Sequence, residues 1–280
     1  MVHRFQLIDV FGVEDFSGNP LAVIHDADDL DSAAMQRMAR WLNLSETTFL
    51  LRPTTPGADY RVRIFTLERE LPFAGHPTLG SCHAWLSADG RPSDPSTVVQ
   101  ECGAGLIPIA RAGSSLAFAA PPLVRSGPVD EEKIAEIVKV LHVDRDAIVD
   151  VQWIDNGPGW VGVLLASADA VLALEPERSH SSRVDIGVVG PYPAGGPVAF
   201  EVRALFSDHL GTIMEDPVTG SLNASVAQWL LGAGRATAPY TASQGTRLGR
   251  TGRIEVRRGE DGTVWIGGNT RTLFSGETAF

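Results

Sequence analysis

Gly75-His76-Pro77-Thr78 sets an imidazole between a glycine and a proline, the make-up of a helix start that a ligand can approach closely. A helix start disfavours imidazolium, so His76 is either a neutral donor or proton relay there, or a simple helix cap. Glu215-Asp216-Pro217-Val218-Thr219-Gly220-Ser221 is a second stretch of the same kind. Asp216 can cap free N–H groups, Thr219 and Ser221 can offer hydroxyls to a substrate or close the turn, and Glu215 reads as a solvated acid or a structural acceptor. Glu46, within Asn43-Leu44-Ser45-Glu46-Thr47-Thr48-Phe49, lies between a helix and an apolar strand. Burial there would lift its pKa towards values useful for general acid–base chemistry, although the neighbourhood also fits a surface or structural acid.

Other chemistries find no matching pattern. His3, His25, His83, His142, His180 and His209 show no HxH, HExxH or Cys/His spacing, so no metal site is expected, and His83 reads as a core residue. No GxGxxG follows a strand, and there is no Walker A loop or GxSxG elbow, which disfavours nucleotide, flavin and serine-hydrolase readings. Gly103-Ala104-Gly105 reads as a hairpin turn.

The elements that must hold these groups follow from periodicity. Strands are expected near residues 4–10, 20–25, 47–52, 60–66, 97–101, 105–111 and 115–119, then near 147–154, 160–165, 185–189 and 197–206. A helix capped by Asp31-Ser32 would bury Met35, Met38 and Leu42, and another would begin at Pro77 and turn Leu79, Cys82 and Leu86 inward. Ala119 to Pro128 contains four prolines and marks a boundary, followed by a helix with Ile134, Ile137, Val138 and Leu141 on its core face. A further helix follows Thr219-Gly220-Ser221.

The halves echo one another. Tyr60 to Thr66 is a strand leading to Gly75-His76-Pro77 and a helix ending Ala84-Trp85-Leu86; Phe200 to Ser207 is a strand leading to Asp216-Pro217 and a helix ending Gln228-Trp229-Leu230. Two helix starts with free backbone N–H groups would let an acidic protein bind a carboxylate without a basic side chain.

Composition bounds the partners. The 280 residues suggest two domains, and a formal net charge of −11 without a long basic run argues against nucleic acid or an anionic membrane surface. Cys82 and Cys102 are too few for a disulfide framework, which fits a reducing, cytoplasmic setting. No signal-peptide pattern is visible at the start, and the apolar stretch from Trp160 to Leu174 is shorter than a bilayer span.

Taken in order, Ser17-Gly18-Asn19-Pro20, Asn43-Leu44-Ser45-Glu46-Thr47, Gly75-His76-Pro77-Thr78 and the Glu215–Ser221 stretch resemble the phenazine-biosynthesis PhzF-like isomerase family, which has the diaminopimelate-epimerase fold. That resemblance implies an α+β chain of two similar domains, each a β half-barrel around a central helix, with the active site in the cleft between them. On this reading the first domain spans 1–121, completed by 271–280, and the second spans 122–270. It also implies Glu46 as general acid–base, His76, Asp216 and Ser221 lining the site, Gly75 and Gly220 at the helix starts, and a homodimer.

The reaction it implies is a cofactor-independent proton shift on a small cyclic or unsaturated carboxylic acid, as in isomerisation of trans-2,3-dihydro-3-hydroxyanthranilate. Related racemases and epimerases use two cysteines instead. Here Ala74 precedes Gly75 where the first thiol would stand, a departure from the Cys-Gly-His that family members often carry, and Asp216-Pro217 stands near the second position. A two-thiol epimerase is therefore disfavoured. A non-catalytic metabolite-binding protein and an epimerase working through non-thiol bases are the alternatives.

Overall fold

The computed structural model describes residues 2–112, 115–208 and 210–279; His209, one of the histidines considered above, lies outside the described residues. In chain order the strands and helices are β1 (Arg4–Val10), β2 (Asn19–Ile24), α1 (Ser32–Leu42), β3 (Thr47–Leu51), β4 (Tyr60–Phe65), β5 (Glu70–Leu71), α2 (Gly75–Ser87), β6 (Thr97–Cys102), β7 (Gly105–Ala112) and β8 (Ser115–Ala119). There follow β9 (Arg125–Pro128), α3 (Glu131–Leu141), β10 (Ile148–Asp155), β11 (Val161–Leu165), α4 (Ala168–Leu172), β12 (Asp185–Pro191), β13 (Phe200–Ser207) and β14 (Ile213–Asp216). Last come α5 (Gly220–Gly232), β15 (Tyr240–Gln244), β16 (Gly252–Arg258), β17 (Val264–Gly268) and β18 (Thr270–Glu277). No described helix is long and apolar enough to cross a membrane.

The chain divides into two compact units, Met1–Ala119 with Gly267–Phe280, and Ala120–Ile266. Within the first, β1 pairs antiparallel with β2, β2 runs parallel to β3, β3 and β5 flank β4 antiparallel, β4 runs parallel to β6, and β6 pairs antiparallel with β7. Within the second, β10 to β16 repeat the same senses in the same order: β10 with β11, β11 with β12, β12 and β14 with β13, β13 with β15, and β15 with β16. The flanking strand is repeated as well. β1 has β18 on its other side and β10 has β9, both antiparallel. A repeat in pairing sense over seven strands goes well beyond the short sequence echo around residues 60 and 200.

Each unit is built round one helix. α2 is buried from Gly75 to Cys82 and at Ala84, and packs against β1, β2, β3, β8 and β18. α5 buries Gly220, Leu222 to Ala227, Trp229 and Leu230, and packs against β10, β12 and β16. A helix enclosed on nearly all sides needs no polar stripe. The amphipathic helices lie outside: α1 buries Met35 and Ala39, with Met38 half-buried against the Ile24, Phe49 and Phe65 cluster, and α3 buries Ile134, Ile137, Val140 and Leu141. Asp31 and Asp130 cap these two, accepting from Ala34 N at 2.7 Å and Lys133 N at 2.9 Å.

The expected turn at Gly103-Ala104 is present, joining the Cys102–Gly105 pair of β6 and β7. The second helix departs from expectation. It starts at Gly75 rather than Pro77, so His76 is its second residue. Proline is acceptable at the third helical position because the first N–H groups of a helix have no intrahelical acceptor to lose.

Candidate active site

In the first unit the site begins with a fastened loop. Asp9, buried in β1, accepts from Ser17 N at 3.0 Å and Gly18 N at 2.8 Å. A Cβ on Gly18 would stand 2.1 Å from the Val10 carbonyl oxygen, so only glycine lets the loop close on the strand. Asn19, the next residue and the start of β2, is thereby held in the interior with its Nδ2 at 3.4 Å from His76 Nδ1.

Glu46 is the last residue before β3, and β3 lies parallel to β2 with Ala22 opposite Thr47. That register carries its carboxylate to His76, with Oε2 at 3.5 Å from Nε2 and side-chain exposures of 16% and 4%. Glu46 is therefore not a surface acid. Burial drives the His76 pKa down from 6.5 to about 3, so the contact joins a neutral imidazole to a carboxylate and is not an ion pair. The cause is burial of the ring, which lies in the first turn of α2. With the Asn19 amide donating to Nδ1, the imidazole proton sits on Nε2, the nitrogen that faces Glu46.

The start of α2 is open to a ligand's acceptor. Ala74, in extended geometry at the N-cap, offers no side-chain cap, and the Thr78 hydroxyl donates back to the Ala74 carbonyl at 2.8 Å. The backbone N–H groups of Gly75 and His76 thus lack the capping oxygen that most helix starts carry.

In the second unit Asp216 ends β14, buried, and its Oδ2 accepts from the Thr219 hydroxyl at 2.5 Å. Thr219 is the N-cap of α5 but does not cap it, because its hydroxyl is turned to Asp216. Gln244, at the end of β15, accepts from Thr219 N at 3.0 Å and Asn223 Nδ2 at 2.7 Å and donates to the Asp216 carbonyl at 3.0 Å. Gly220 and Ser221 open the helix. The Ser221 hydroxyl accepts from the Trp160 indole at 3.3 Å, and its carbonyl accepts from Asn156 Nδ2 at 2.9 Å.

Of the residues singled out in the sequence, the fold joins Glu46 to His76 and sets Asp216, Thr219, Gly220 and Ser221 at one helix start. Of the two readings of Glu215 the structure supports the structural acceptor: it accepts from Arg203 through two bonds of 3.1 and 2.7 Å. His83 is half-buried, and its ring nitrogens both meet hydroxyls, of Thr270 and Thr272, at 3.0 Å. Cys82 is enclosed in α2 with its thiol pKa pushed up to about 12 by burial, and Cys102 is also free. A buried thiol of that kind is inert. Asp9 and Gln244 gave no signal in the sequence, whereas Asn19 stood inside a recognisable motif without an assigned role.

Residues 8–276 match the family described as phenazine biosynthesis-like protein. The chain is 36% identical to trans-2,3-dihydro-3-hydroxyanthranilate isomerase of Pseudomonas aeruginosa, over 91% of its own length and 90% of the relative's. It is also 36% identical to antisense-enhancing sequence 1 of Schizosaccharomyces pombe, over 99% of its length and 98% of that protein's. Among solved structures, a predicted epimerase from Pseudomonas aeruginosa superposes with a TM-score of 0.79 at 28% identity, over 99% of each chain. The chain belongs to the phenazine biosynthesis-like protein family and is an isomerase of that family.

Proposed function

We propose that this isomerase moves a proton between two carbons of a small cyclic or unsaturated carboxylic acid, with Glu46 as the single acid–base and without a cofactor. The observation that carries the reading is the Glu46 carboxylate set against a buried, neutral His76. As carboxylate, Glu46 takes the proton from carbon and leaves a pair of electrons delocalised over the conjugated system. As carboxylic acid it then returns a proton to a second carbon, so protons and electrons balance over the cycle. His76, whose Nε2 faces Glu46 at 3.5 Å, is the proposed group that steadies the carboxylate between the two transfers.

The uncapped N–H groups at Gly75 and Gly220 are the proposed contacts for substrate carboxylate, with Ser221 beside the second. Asp216, oriented by Thr219, is the proposed partner of a substrate hydroxyl or ammonium. The relative that isomerises trans-2,3-dihydro-3-hydroxyanthranilate makes that compound the first substrate to try.

The test is deuterium uptake from heavy water into that compound, followed by mass spectrometry. The wild-type enzyme is expected to incorporate deuterium, and Glu46→Gln to do so about 10²- to 10⁴-fold more slowly while keeping the native circular dichroism spectrum. Exchange by Glu46→Gln at the wild-type rate would remove Glu46 from the mechanism. No exchange by the wild type would exclude this substrate class.

A further inference from the structure

The structure assigns Gln244 as the positioning residue of the second helix start: its side-chain amide fixes the Asp216 turn and the direction in which the Thr219 hydroxyl points. This role rests on the proposed contact between Asp216 and substrate.

Gln244 is fully buried and uses every hydrogen-bonding position of its amide. Its Oε1 accepts from Thr219 N at 3.0 Å and Asn223 Nδ2 at 2.7 Å, and its Nε2 donates to the Asp216 carbonyl and to Thr219 Oγ1, both at 3.0 Å. The orientation is unambiguous. A backbone N–H can only donate and a backbone carbonyl can only accept, so the amide cannot be reversed without two clashes of like groups. Because Nε2 already donates to Thr219 Oγ1, the one hydroxyl hydrogen is free to go to Asp216 Oδ2, at 2.5 Å.

The amide is also fixed in place. Gly245 follows it at φ 90°, and a Cβ there would stand 2.6 Å from the Pro217 carbonyl oxygen, so β15 ends hard against the turn that it orders. A neutral glutamine at this point keeps the carboxylate oriented without adding charge to the site. Glutamate would not: its second oxygen would face the Asp216 carbonyl and would compete for the Thr219 hydrogen.

Gln244→Glu is nearly isosteric, so it changes polarity and not volume. Asp216 would lose its hydroxyl donor and gain a negative neighbour, and both effects favour its protonated form. Thr219→Val removes the hydroxyl alone. Of the charged groups around this turn, Arg203 on β13 and Glu215 on β14 bind each other, and Arg250 follows β15 and packs against Gly245.

The experiment is an NMR titration of protein carrying ¹³C-carboxyl aspartate, with the Asp216 signal identified by its loss in Asp216→Asn. Expected is a rise in the Asp216 midpoint of about one pH unit or more, tenfold in proton affinity, in Gln244→Glu and Thr219→Val, with Thr219→Ser returning to the wild-type midpoint. A wild-type midpoint in folded Gln244→Glu or Thr219→Val overturns the assignment. Failure of both to fold also overturns it, because the pair would then hold the unit together and not merely orient Asp216. The titration needs no turnover, whereas the reading it rests on fails separately, if Asp216→Asn retains full deuterium exchange.

Discussion

The two helix starts occupy the same place in the repeated topology, yet they use their polar groups in opposite ways. Each is strapped by a glutamine from the equivalent strand, Gln100 of β6 and Gln244 of β15. Gln100 donates to Thr78, one turn inside α2, at 3.1 Å, whereas Gln244 reaches Thr219, the N-cap of α5. Gln244 holds Asn223, the counterpart of Thr78, as well, while at the first start Asn19 and Glu46 approach His76 at 3.4 and 3.5 Å. The second is saturated with bonds of 2.5 to 3.0 Å around Asp216 and Thr219. The contacts made by the His76 ring are thus longer than those around Asp216. A duplicated fold has been divided by polar satisfaction more than by shape.

The hairpin ahead of each helix sharpens the contrast. Arg63 of β4 binds Glu70 through two bonds of 2.7 and 2.6 Å, and Arg203 of β13 binds Glu215 in the same manner. The first pair is 18% and 41% exposed, the second 5% and 10%. Arg203 also donates to the Val171 and Leu174 carbonyls at 3.2 and 2.8 Å. Removing one partner of a buried pair strands the other charge, at a cost of about 3–5 kcal/mol, whereas an exposed pair contributes about 1 kcal/mol or less. Urea denaturation of Arg203→Met and Arg63→Met should show that difference. Equal losses would mean that the two hairpins are anchored alike, and the contrast would fail at its base.

Acid should find the first unit before the second. His76 is held neutral, with its pKa near 3, and His25, just past the end of β2, is lowered to about 4, chiefly by burial. The unfolded chain takes up these protons near pH 6.5 and the folded chain does not. The stabilising effect of the neutral histidines is therefore complete above pH 6.5 and declines as pH falls towards 3 or 4. Its slope is about 1.4 kcal/mol per pH unit for each histidine. The residue at the His76 position of the second unit is Ser221, which has no such titration. Thermal melts of His76→Gln between pH 4 and 6.5 should show a flatter dependence than the wild type. An unchanged slope would place the imidazole in contact with solvent.

How much of this could be read from the sequence depended on how local the physics is. The caps of α1 and α3 were visible because Asp31 and Asp130 act three residues away. The repeat was visible because strand and helix periodicities are local patterns. Glu46 was weak on its own neighbourhood because its environment is made by His76, thirty residues further along and brought near by the β2–β3 register. Gln244 was invisible, since its partners lie 21 to 28 residues back and a lone glutamine at a strand end has no spacing to betray it. The start of α2 was misplaced because Pro77 suits the first helical position by its fixed φ, and the sequence does not show that the turn is already formed at Gly75.

The smallest effect tests the idea that the first start is kept open for a ligand. Ala74 has φ −153° and ψ 142°, the extended geometry in which a serine N-cap can accept from the second helical N–H, here that of His76. Ala74→Ser should therefore raise stability by about 1 kcal/mol, the typical value of such a cap, and Asp31→Ala should lower it by a similar amount. Activity should move the other way in the first case, because the serine oxygen would occupy the donor proposed for substrate carboxylate, raising KM with little change in kcat. Asp31→Ala, at a helix start outside the site, should leave both constants unchanged. If Ala74→Ser gained stability and kept its KM, the open start of α2 would be a structural accident, and carboxylate binding would fall to α5, whose N-cap threonine is already turned away towards Asp216.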